Sequence, residues 1–134
     1  MNELSQLKYL GYNDSFEESR LELEAGIDCL ARVIAEHKGV YEIISLEGES
    51  RAMVSGQRMQ TASSRDDYPA VGDWVVIKDV PDAAKVIEHI LPRQTTLRKK
   101  YSGKDEAQLM VANVDMVFIV ESMDRDYNIN RFER

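Results

Sequence analysis

The spacing of apolar positions changes twice along the chain. Leu4, Leu7, Tyr9, Leu10 and Tyr12 recur at helical intervals and predict a short helix stopped near Gly11. Asp14 or Ser15 then stands where an N-cap would, ahead of Glu17 and Glu18, and carboxylates in a first turn suit the helix dipole. Residues 1–28 read as an N-terminal extension with short helices, or as a mobile arm. From Cys29 the spacing shortens towards two. Strands are predicted at 29–36, at Val40–Leu46 after a His37-Lys38-Gly39 turn, and at 50–55 after Glu47-Gly48. Gly56 to Ala70 has no period and reads as a long loop with no good helix candidate. Val71–Ile77 and 84–90 complete the set, the last ended by Pro92, which cannot donate to a sheet ladder.

Five short strands separated by turns favour closure, because an open sheet would leave apolar edges unpaired. The prediction is a mainly β chain with a five-stranded, OB-fold-like barrel over 29–92, an SH3-like barrel being the runner-up. Val33, Ile43, Val54, Trp74, Val76 and Ile87 are assigned to its core. Residues 93–113 read as a linker, polar and basic over Gln94 to Gly103, with Ala107–Ala112 open to a short strand or turn. Val114–Val120 is nearly continuous in apolar residues, as in parallel strands buried on both faces, and Asn128 then stands as a cap before a helix at 129–134. Residues 114–134 thus read as the start of an α/β domain cut short.

Composition narrows the functional classes. With 17 Lys and Arg against 24 Asp and Glu, the net charge is −7, which argues against a generic nucleic-acid binder. The acidic average hides one basic stretch, Arg93, Arg98, Lys99, Lys100 and Lys104, which leaves room for a specific anionic partner. Met116–Val120 is too short to cross a bilayer, and the N-terminus lacks a secretory pattern, so no membrane partner and a cytoplasmic location are expected. A single cysteine, Cys29, and two histidines make neither an internal disulfide nor a usual zinc site. Neither G-x-x-x-x-G-K-[ST] nor G-x-G-x-x-G occurs. His37, His89 and Cys29 therefore read as structural or surface residues, Asp66-Asp67 as a solvated pair, and Trp74 as core more readily than as a base-stacking ring.

One ordered series stands out. Pro69-Ala70-Val71-Gly72-Asp73-Trp74-Val75 is followed by Ile90-Leu91-Pro92-Arg93, by Arg98-Lys99-Lys100, and by Gln108 to Val120, with Asp126-Tyr127-Asn128 and Arg131 to Arg134 behind. Together with Leu10-Gly11-Tyr12, Phe16 and His37 to Tyr41, this resembles the ribosome-small-subunit-dependent GTPase family across essentially the whole chain. The resemblance implies an N-terminal OB-fold, a circularly permuted GTPase domain and a zinc-binding module. The parent protein would use GTP, Mg and Zn during maturation of the small ribosomal subunit, with 16S rRNA as partner. No nucleotide-contacting motif or zinc ligand of that family has a matching position here, so no catalytic residue and no cofactor is assigned to this chain. Alone, it is expected neither to bind nor to hydrolyse GTP, and to be monomeric. The implied role is rRNA docking, with Arg32, His37, Lys38, Arg58, Arg65, Arg93, Arg98, Lys99, Lys100 and Lys104 as candidate contacts. The alternative is a protein-interaction or intramolecular regulatory barrel without RNA contact.

Overall fold

The computed structural model describes residues 2–100 and 107–122. Two helices open the chain, α1 (Glu3–Tyr9) and α2 (Asp14–Glu22), each capped by an asparagine. The Asn2 side chain accepts from the Ser5 amide, and the Asn13 side chain accepts from the Ser15 and Phe16 amides. The cap of α2 is thus Asn13, not Asp14 or Ser15, and the extension is folded against the barrel. A 3-10 turn at Ile27–Cys29 leads into β1 (Leu30–His37), followed by β2 (Val40–Ser45) and β3 (Gly48–Val54). The segment read as a plain loop instead holds a short helix, α3 (Gly56–Thr61), and a 3-10 turn at Arg65–Asp67. Ser55 caps α3 through its hydroxyl, a signal that the missing apolar period obscured. Next come β4 (Trp74–Lys78) and β5 (Lys85–Ile90).

These strands close a five-stranded, OB-fold-like barrel in the order β1-β2-β3-β5-β4. All its pairings are antiparallel except β3 with β5, which run parallel. The Lys38-Gly39 turn between β1 and β2 has positive φ at both residues, the backbone form whose twist matches the flanking strands. Side chains inside the barrel include Ala31, Val33, Tyr41, Ile43, Val54, Val75, Ile77 and Ile87.

Trp74 and Val76 are buried but lie outside the barrel. Alternation along β4 sends Val75 and Ile77 inward, so its other two apolar residues must face out. There they meet Leu30, Leu91 and the side chains of Leu7, Tyr12 and Phe16 from the N-terminal segment. The Tyr12 ring stands edge-on to Trp74 at 5.0 Å between centroids. The helices thus exist to cover the outer apolar face of β1 and β4. Neither is long enough to be stable by itself in water.

Residues read as a linker form a second sheet. β6 (Thr96–Lys100) pairs antiparallel with β7 (Ala107–Ala112), and an isolated bridge joins Val71 to Val111. The run read as a buried strand forms none among the described residues, and Met116 to Val120 are exposed. A strand buried on both faces needs neighbours, and the described residues supply none. The helix expected at 129–134 lies outside the described residues. No described helix is long and apolar enough to cross a membrane.

Candidate nucleic-acid interface

Two of the ten candidate contact residues turn inward. Arg32 is half-buried on β1. Its Nε donates to the Gly72 carbonyl at 3.0 Å and its Nη2 to the Asn113 carbonyl at 3.0 Å, while Nη1 donates to the Leu10 carbonyl. Its guanidinium carbon lies 5.9 Å from the centroid of the Trp74 ring. Burial lowers its pKa, an effect opposed by the charges of Asp115 and Asp73. Arg93 grips a fully buried Asp73: Nε donates to Oδ1 at 2.9 Å and Nη2 to Oδ2 at 2.8 Å. Its remaining donors reach the Asp66 and Tyr68 carbonyls, both at 2.9 Å. Arg32 and Arg93 therefore spend their donors inside the fold, as internal fasteners. The density of basic residues along the sequence counts charges without telling which way they point.

The local sequence explains this hub. Val71-Gly72-Asp73 turns tightly into β4, with Gly72 at φ 97°. A Cβ there would lie 2.0 Å from the Ala112 carbonyl oxygen, so only glycine lets the β6–β7 ribbon come this close. Asp73 also accepts from the Ala70 amide at 2.7 Å. Asn113 ends β7 at φ 57° and binds both sides: its amide group donates to the Gly72 carbonyl at 3.0 Å and its oxygen accepts from the Gln94 amide at 2.8 Å.

The other candidates stay at or near the surface. His37 and Lys38 are exposed at the β1–β2 turn, and Arg65 is exposed at the start of its 3-10 turn. Arg58 is half-buried on α3, with its Nε buried and without a hydrogen bond. Every residue of β6 is exposed, including Arg98, Lys99 and Lys100. Arg98 makes a two-pronged contact with Asp66, at 3.2 and 2.8 Å, and that hydrogen-bonded guanidinium holds the Asp66 carboxyl below its ordinary pKa. Asp66 is thus paired, and Asp67 closes the 3-10 turn by accepting from the Ser63 and Ser64 amides at 2.8 and 3.1 Å. Lys104 lies outside the described residues.

The β1–β2 turn, the Arg65–Asp67 turn and β7 converge at one end of the barrel around a cleft of about 270 Å³. Glu36, Tyr41, Arg65, Tyr68 and Met110 line it, with Gly39 at its edge. Of these, sequence reasoning had singled out only Arg65. Glu36 reads as an ordinary surface acid, and the tyrosines fall on a core strand and a loop. Their meeting depends on barrel closure, and no local motif marks it.

No protein-family model matches the chain. Curated relatives do. The chain is 44% identical over 111 residues to the small ribosomal subunit biogenesis GTPase RsgA 1 of Oceanobacillus iheyensis, covering 81% of this chain and 31% of that protein. It is 39% identical over 137 residues to the small ribosomal subunit biogenesis GTPase RsgA of Syntrophotalea carbinolica, covering 96% and 37%. Among solved structures, it is similar to the crystal structure of YjeQ from Thermotoga maritima at 23% identity and a TM-score of 0.46, over 64% of this chain and 27% of that one. The chain spans about a third of the length of the curated relatives it matches.

Proposed function

This chain is the counterpart of the N-terminal portion of the RsgA family of small ribosomal subunit biogenesis GTPases, and on that footing we propose that it docks the parent protein on the small subunit through 16S rRNA. In this reading the parent hydrolyses GTP during subunit maturation, in the cytoplasm. GTP, Mg and Zn would be held by segments that this chain does not match. Among the described residues, no three His, Cys, Asp or Glu side chains are grouped to hold a metal ion, and the sequence has no phosphate loop. No step is therefore assigned to these groups here.

The observation that carries the docking reading is the clustering of exposed cations in a chain of charge −7. Arg98, Lys99 and Lys100 on β6 lie across the Arg65–Asp67 turn through the Asp66 contact, and His37 and Lys38 border the same end of the barrel. Such a patch suits phosphate and shape contacts, and Trp74, the only tryptophan, is buried and takes no part. The test is affinity for purified small subunits at several salt concentrations. Replacing Arg98, Lys99 and Lys100 together with alanine should weaken binding and flatten the salt dependence by roughly one unit of slope per lost phosphate contact. Equal affinities and slopes would overturn it. The second reading, a protein-binding barrel, is favoured by the acidic charge and the exposed apolar run Met116–Val120, and predicts binding that resists salt.

A further inference from the structure

The cleft at the end of the barrel holds three polar side chains of different kinds, none satisfied by the fold. Tyr41 is 4% exposed, and its hydroxyl makes no hydrogen bond among the described residues. Glu36 and Arg65 also line the cleft, and neither side chain makes a hydrogen bond or ion pair among the described residues. The half-buried Tyr68 ring, Leu109 and Met110 provide flat apolar walls. A volume of about 270 Å³ lies just below the roughly 300 Å³ at which drug-sized ligand pockets begin, which suits a single planar heterocycle.

The donor and acceptor pattern narrows the ligand further. A carboxylate only accepts, and it is best matched by two adjacent donors. Guanine presents N1–H and N2–H side by side on its Watson–Crick edge, next to an O6 acceptor. Adenine, cytosine and uracil each place an acceptor beside their single donor, which would face the second carboxylate oxygen. A neutral tyrosine hydroxyl supplies the donor that O6 needs. Burial, followed by the nearby Glu36 charge, raises the pKa of Tyr41 and keeps it protonated at neutral pH. An unpaired guanidinium at the rim suits a phosphate.

We infer that this cleft receives one unstacked guanine of a single-stranded RNA segment, with Glu36 accepting from N1–H and N2–H, Tyr41 donating to O6, Tyr68 flanking the ring and Arg65 meeting the adjoining phosphate. The inference rests on the docking reading and adds a base-specific contact to a patch otherwise suited only to phosphates. Single-stranded RNA is read in this way elsewhere, by bases splayed out against aromatic rings and hydrogen-bonded on their edges.

The experiment titrates the isotope-labelled chain with the RNA trinucleotides UGU and UUU, following amide shifts, with inorganic phosphate as control. UGU should shift the amides around Glu36, Arg65 and Met110 saturably and bind about fivefold or more tighter than UUU, as one two-pronged base contact warrants. Glu36→Gln should abolish that preference, and Tyr41→Phe should reduce it while leaving the amides of β4 and β5 in place, which reports an intact fold. Equal binding of UGU and UUU, or phosphate alone reproducing the shifts, would overturn the inference. Cosedimentation with small subunits separates the two ideas. If the wild-type chain binds subunits but shows no UGU preference, the guanine site falls and docking stands. If UGU is preferred but subunits are not bound, docking falls and the site stands.

Discussion

Gly72 and Asp73 carry more of the architecture than their size suggests. At Gly72 a side chain would meet both a backbone oxygen at 2.0 Å and a positive φ. Gly72→Ala is expected to lose at least about 1–3 kcal/mol from backbone strain, and more if Ala112 cannot retreat. Urea unfolding measures the loss, and amide exchange at β7 should rise first. Asp73→Ala strands the Arg93 guanidinium, whose side chain is 15% exposed, without its counter-charge. The expected cost is about 3–5 kcal/mol, read from the same urea curves. Replacing both partners with apolar residues of similar volume should cost far less than the two single changes together. An unchanged midpoint for Asp73→Ala would show that the pair is incidental. Neither role was legible in the sequence. Pro69 to Val75 drew notice as a motif, but the contacts that make Asp73 and Arg93 a pair span 20 residues of chain.

Elements with a two-residue period were legible, because apolar alternation and glycine turns are local properties. The five barrel strands follow from them, whereas the neighbouring of β3 and β5 does not. What the pattern could not supply was the second covering layer. β4 is buried on both faces, and a run of that kind does not say what lies on its outer side. The answer is the N-terminal helices, held by Tyr12, Glu17 and Arg20. The Tyr12 hydroxyl donates to Glu17 at 2.7 Å, and Arg20 pairs with the same carboxylate. The hydrogen-bonded guanidinium holds the Glu17 carboxyl below its ordinary 4.5, outweighing the opposing effect of burial. A depressed carboxylate stabilises the fold in full above about pH 4.5, and that stabilisation is lost as the pH falls through the lower folded value. Trp74, the only tryptophan and in edge contact with Tyr12, reports the change. Its fluorescence should shift in acid, and Glu17→Gln should flatten the titration. A profile identical in the variant would mean that another group governs the helices. The first strand of the ribbon was missed for a different reason: β6 is exposed at every residue, so no burial alternation marks it, whereas β7 coincides with the short strand offered at Ala107–Ala112.

For the whole molecule, charge and motif content point the same way. The chain is acidic overall with one dense basic stretch, and it lacks a phosphate-cradling loop. Purified chain should show no GTP turnover above buffer and no saturable micromolar binding of a fluorescent guanine nucleotide. A single base in the barrel-end cleft is too weak a ligand to change that result. Micromolar binding would reveal a nucleotide site elsewhere in the sequence. One residue also joins the layers. The Arg32 side chain reaches the carbonyl after α1, the turn before β4 and the end of β7, so helices, barrel and ribbon share one guanidinium. Three bodies fastened at a common point cannot come apart independently without leaving that half-buried cation short of acceptors. Calorimetry of the intact chain should therefore give a single endotherm whose van't Hoff and calorimetric enthalpies agree. Arg32→Met should split it, with the outer layers melting below the barrel.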